Sequence, residues 1–185
     1  MDFMPLETIT MELADVAMGR RKADMVIKNG TLVNVNTKEL LEHTDVAIYK
    51  GRIALVGDAT HCVGDTTEII DATGLYIAPG FMDGHIHVES SMLTVSQYST
   101  AVVPHGTTAI FMDPHEIANV LGLKGVKLML DEARDVPLRV YATVPSCVPA
   151  APGLEDAGAE IGPEEIAEAM KWDAIAGLGE LMNFP

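Results

Sequence analysis

The stretch PGFMDGHIHVESSMLTVSQYSTAVVPHGTTAIFMDPHE (79–116) decides the fold. Its first eight residues after Pro79-Gly80, FMDGHIHV (81–88), read as a strand. TVSQYSTAVVPHG (94–106) reads as a helix, opened by a Thr94-x-x-Gln97 capping box and closed near Gly106. TTAIFMD (107–113) is the next strand, and a helix is expected near 114–134, where leucines and methionines are spaced for one buried face. The rhythm repeats downstream. LRVYATVPS (138–146) is a strand, 147–162 a Pro/Gly/Ala-rich loop, PEEIAEAMKW (163–172) a helix with Pro163 in its first turn, and AIAGLGELM (174–182) a fourth strand. Alternating strands and helices imply a parallel sheet with helical crossovers. Four such units make half of a (β/α)8 barrel or a small open sheet.

Upstream of Pro79 the pattern differs. MELADVAMG (11–19) suggests a short helix ended by Gly19. MVIKNGTLVNV (25–35) reads as two short strands about an Asn29-Gly30 hairpin turn, and DVAIYKGRIALVG (45–57) repeats the design about Lys50-Gly51. TEIIDATGLYIAPG (67–80) adds two short strands. The expected organisation is therefore a helical extension over 1–22, a small all-β meander or sandwich over 23–80, and the barrel half over 81–185. The last three residues, Asn183-Phe184-Pro185, follow a strand with no covering helix, so the chain reads as cut short.

Composition narrows the function classes. The 185 residues are 48% apolar, enough to build a core, and disordered or collagen-like classes are excluded. Lys and Arg number 12 against 27 Asp and Glu, a net charge of -15. Such a chain is repelled by phosphate backbones and anionic membranes, so no nucleic-acid or membrane partner is expected. Cys62 and Cys147 stand far apart, with no spacing for a thiolate zinc site or a disulfide framework. With no signal-like start and no membrane-length apolar run, a cytoplasmic setting is expected.

His85-Ile86-His87 is the strongest chemical signal, because residues i and i+2 of a strand share a face and two neutral imidazoles there suit a divalent metal. The other reading is one core and one loop histidine. The end of a parallel strand, where α/β folds place their sites, favours the metal. Glu180, ending the fourth strand after Gly177-Leu178-Gly179, is either a third ligand or a solvated strand-end carboxylate. Glu89, Ser90 and Ser91 follow the histidine pair. Glu89 could receive ring N–H groups of a purine or simply face water. Asp113-Pro114-His115-Glu116 resembles a helix start, with Asp113 as cap, Pro114 at the first position and Glu116 at the third. That pattern leaves His115 unexplained on the same rim, and Glu89, Ser90, Ser91, Asp113, His115 and Glu116 are the candidates for contacts behind the ligands or to substrate. His105 is expected to face a helix C-terminus, and His43 and His61 to lie on the surface.

Four longer motifs then carry a resemblance: APGFMDGHIHVESSMLT (78–94), PHGTTAIFMDPHEIANVLG (104–122), PSCVPAAPGLEDAGA (145–159) and GLGELMNFP (177–185). Together they resemble bacterial and archaeal adenine deaminases of the amidohydrolase superfamily. The resemblance implies a (β/α)8 barrel beside a small β-sandwich and a binuclear Mn2+ or Fe2+ centre. It also implies hydrolytic deamination of adenine to hypoxanthine and ammonia by a metal-bound hydroxide, in purine salvage, with a homo-oligomeric full-length protein. By motif, His85 and His87 match first-strand ligands and Glu180 the bridging carboxylate, while Glu180 and Glu89 are the candidate catalytic carboxylates. Further histidine ligands and a proton-shuttling aspartate are expected on later strands, but no histidine follows His115. Two alternatives remain open. One is a different cyclic amidohydrolase of the dihydroorotase or hydantoinase kind, which the glutamate at 180 in place of a lysine disfavours. The other is a non-catalytic half-barrel.

Overall fold

The computed structural model describes residues 4–182, and the chain divides into two compact units, Asp2–Pro79 and Gly80–Pro185.

The first unit opens with helix α1 (Leu6–Ala17), which starts directly after Pro5 and five residues before the expected helix. β-Branched Thr8, Ile9 and Thr10 disguise its first turns, but their hydroxyls bond to the carbonyls of Pro5 and Leu6 and so fit a helix. Ile9 and Val16, on one face, are fully buried. Five strands follow: β1 (Met25–Asn34), β2 (Glu39–Tyr49), β3 (Arg52–Gly57), β4 (Glu68–Asp71) and β5 (Tyr76–Ile77). They form one sheet in the order β3-β2-β1-β4, with β5 also on β1. The Lys50-Gly51 hairpin forms, both residues having positive φ as its tight turn requires. The Asn29-Gly30 hairpin does not. β1 runs straight through it with a bulge, and β4 and β5 pair with β1 in parallel rather than as a meander.

The reason lies in what surrounds Asn29. Its left-handed backbone (φ 59°) turns its N–H to Asp45 Oδ1 at 2.8 Å, while its side chain bonds Thr73 and His43, each at 2.8 Å. Tertiary partners thus hold a conformation that, in a free dipeptide, would start a turn. The core of this unit joins Val16 of α1 to Val26, Ala47, Tyr49, Ala59 and Cys62.

The second unit is α/β. Strands β6 (Phe81–Ile86), β7 (Thr107–Met112), β8 (Arg139–Val144) and β9 (Ile175–Leu178) are parallel and lie in chain order. Helix α2 (Val95–Val102) joins the first pair, α3 (His115–Leu121) and α4 (Leu123–Glu132) the second, and α5 (Pro163–Ala169) the third. Ile110 and Met112 of β7 are fully buried with Val95, Val126, Leu138 and Ala142. Each such large side chain contributes about 1.5–3 kcal/mol.

Three local expectations are corrected. The helix near 114–134 is two helices, broken at Gly122, whose φ of 59° and ψ of -146° suit only glycine. Thr94 makes no side-chain cap. Instead Glu132, at the end of α4, accepts the N–H groups of Val95 and Ser96 at 3.1 and 3.3 Å. Asp113 does not cap α3 either, since Pro114 occupies that position and the Asp113 carboxylate points elsewhere. The motif residues Asn183, Phe184 and Pro185 lie outside the described residues.

Candidate metal centre

The C-terminal ends of β6, β7 and β9 deliver the polar residues. Neighbouring strands stand ~4.8 Å apart, so in a flat sheet β6 and β9 would be separated by about 14 Å. Yet His85 Nε2 and Glu180 Oε2 are 3.6 Å apart, and His87 Nε2 and Glu180 Oε1 also 3.6 Å. The sheet therefore curls, as a barrel wall does, and its first and fourth strands aim side chains at one point.

The two histidine Nε2 atoms are 3.2 Å apart. His87 Nδ1 lies 2.8 Å from the carbonyl oxygen of Asp113, which can only accept, so neutral His87 carries its proton on Nδ1 and presents a bare Nε2. Donor atoms of His85, His87 and Glu180 all lie within 4.8 Å of one another. Two nitrogens each ~2.1 Å from a tetrahedral ion stand about 3.4 Å apart. Two imidazoles and a carboxylate at this separation fit a divalent first-row cation.

His115 belongs to the same cluster. It is buried, its Nδ1 is 3.2 Å from Glu180 Oε1, and its Nε2 is 3.0 Å from the carbonyl of Cys147. Cys147 and Ser146, just past β8, also tie down Glu180: the Ser146 hydroxyl donates to the Glu180 carbonyl at 2.8 Å and the Cys147 thiol approaches it at 3.4 Å. Both cysteines are free and buried.

Glu89 sits in the 3-10 turn Val88–Ser91 that follows the histidines. Its Oε1 accepts the Ile117 N–H of α3 at 3.1 Å, and its buried Oε2 has no partner. Burial pushes the Glu89 carboxyl above its usual range; the backbone bonds oppose this, and the charge of Glu116 adds to it. Ser90 donates to Glu116 Oε1, and Glu116 Oε2 is 3.4 Å from His87 Nδ1. Ser91 is not brought to the donors, because its hydroxyl closes its own turn on the Val88 carbonyl. His105 is exposed at the end of a 3-10 turn. His43 and His61 are exposed in the first unit, bonded to Asn29 and to the carbonyl of Ala17.

Sequence reasoning named Asp113 as a candidate beside the ligands without its partner, which the structure gives: Asp113 Oδ2 accepts the Glu180 N–H at 3.2 Å, in the space left by Gly179. The paired glycines before Glu180 were the available signal.

The sequence pattern of the amidohydrolase family matches residues 76–179. The chain is 62% identical over 184 residues to an adenine deaminase of Clostridium botulinum, covering 100% of this chain and 31% of that protein. To an adenine deaminase of Moorella thermoacetica it is 66% identical over 181 residues, covering 98% and 30%. It thus spans about a third of the length of these relatives. Among solved structures, the zinc complex of atrazine chlorohydrolase from Arthrobacter aurescens superposes with a TM-score of 0.58 at 16% identity, over 78% of this chain and 41% of that one. At that identity the likeness speaks for the fold alone. The family pattern covers most of the second unit, and the chain belongs to the amidohydrolase family.

Proposed function

We propose that the protein hydrolyses adenine to hypoxanthine and ammonia, in purine salvage or adenine catabolism in the cytoplasm. In this reading His85, His87 and Glu180 hold one side of a binuclear Mn2+ or Fe2+ centre. The observation that carries it is the meeting of these three side chains at one rim, in a chain more than 60% identical to two adenine deaminases.

Bound divalent ions supply the acidity that makes water nucleophilic near neutral pH. The chain's own residues prepare that chemistry. The Asp113 carbonyl keeps the His87 proton on Nδ1 and leaves Nε2 to donate. The Ser146 hydroxyl holds the Glu180 carbonyl in place, and the buried His115 ring, anchored through Nε2 to the Cys147 carbonyl, walls the Glu180 carboxylate. Glu89, anchored through one oxygen to the Ile117 N–H of α3 beside the histidine pair, is the candidate carboxylate for the purine ring. The family position of Glu180 also supports the deaminase reading over a lysine-dependent cyclic amidohydrolase.

The test is ammonia release by the full-length, Mn2+-loaded protein offered adenine, adenosine and cytosine separately. Release from adenine in preference to the other two is expected. No release from adenine overturns the proposal.

A further inference from the structure

Asp113 is fully buried at the end of β7, and its Oδ1 has no hydrogen-bond partner. An orphan carboxylate oxygen costs free energy, so the position is held for something other than stability. Asp113 makes two connections to the donor residues. Its carbonyl accepts from His87 Nδ1 at 2.8 Å, and its Oδ2 accepts the Glu180 N–H at 3.2 Å. A separate observation points the same way. A Cβ on Gly179 would stand 2.5 Å from Asp113 Oδ2 and 2.8 Å from the Val144 carbonyl, so the chain before Glu180 has been stripped of a side chain where the carboxylate enters.

We infer that Asp113 is a positioning residue, setting the donors of β6 and β9 relative to one another from the strand β7 beside β6. Through its carbonyl it fixes the rotation and tautomer of His87, and through its carboxylate it fixes the backbone of Glu180. This rests on the reading of His85, His87 and Glu180 as metal ligands. Contacts of this kind typically set metal affinity by ~10–100-fold. A helix-capping role, in contrast, would leave metal affinity untouched.

The experiment measures the Mn2+ dissociation constant, by competition with a chelator, in the full-length protein and four variants, with circular dichroism as a check on folding. Asp113→Ala and Gly179→Ala should each weaken Mn2+ binding about 10–100-fold. Asp113→Asn, isosteric and still able to accept the Glu180 N–H through a weaker neutral bond, should lie between wild type and Asp113→Ala. Glu180→Gln is the control for the ligand reading itself. Wild-type affinity in Asp113→Asn and Gly179→Ala, with Mn2+ lost in Glu180→Gln, overturns the positioning role and leaves the metal site standing. Wild-type affinity in Glu180→Gln overturns the metal site. Should Asp113→Ala fail to fold, Asp113→Asn and Gly179→Ala decide alone.

Discussion

Single residues carry the site. Glu180 touches three partners at once: both histidine donors at 3.6 Å and His115 at 3.2 Å. Glu180→Gln keeps the shape and removes the charge. The full-length protein is expected to lose bound Mn2+, by elemental analysis, and deaminase turnover together. Retention of both would remove Glu180 from the ligand set. The histidine pair was legible in the sequence because a two-residue period on a strand is a local property. The partner of Asp113 was not. Asp-Pro-x-Glu reads locally as a helix start, and only the fold brings its carboxylate to the N–H of residue 180. Local rules score a cap; a contact spanning so much chain leaves no local pattern.

Elements show the same division between near and far. The parallel strands were legible from their apolar runs, and Lys50-Gly51 from its turn chemistry. Asn29-Gly30 was misread because a bulge and a two-residue hairpin ask for the same positive φ, and the choice falls to Asp45 and Thr73. Helix α2 was placed, but its N-terminal cap comes from Glu132 of α4. Burial pushes the Glu132 carboxyl up, but bonds from the Ser96 and Thr94 hydroxyls and from two backbone N–H groups outweigh it and hold the group below its usual range. With the folded value depressed, this stabilisation is present at neutral pH and is lost as pH falls through that folded value. Glu132→Gln should therefore cost about 1 kcal/mol at pH 7, as caps do. In acid melts the gap from wild type should close. A gap that stays constant down to pH 2 would show that charge plays no part. At the α3–α4 break, Gly122→Ala should destabilise by about 1–3 kcal/mol in denaturant titrations, since φ of 59° with ψ of -146° is a glycine conformation.

On the scale of the whole molecule, the described residues supply three converging donors, and no histidine lies beyond His115 in the sequence. The 185-residue chain by itself is therefore expected to release no ammonia from adenine even when loaded with Mn2+; measurable release would show that three donors suffice. The curl of the β6–β9 sheet has another consequence. His87 and Glu180 are separated by about ninety residues of chain, so a cation gripped by both would cross-link the first strand to the fourth and shut a long loop. It would then act as a clasp on the fold as well as a reagent, and by mass action an ion at a thousand times its dissociation constant adds about 4 kcal/mol. Stripping it with a chelator should lower the melting temperature and speed amide exchange first in β6 and β9, the two edge strands of the described sheet that the ion would join. Were melting and exchange unchanged, the curl would be set by packing alone, and the ion would arrive at a wall already bent to receive it.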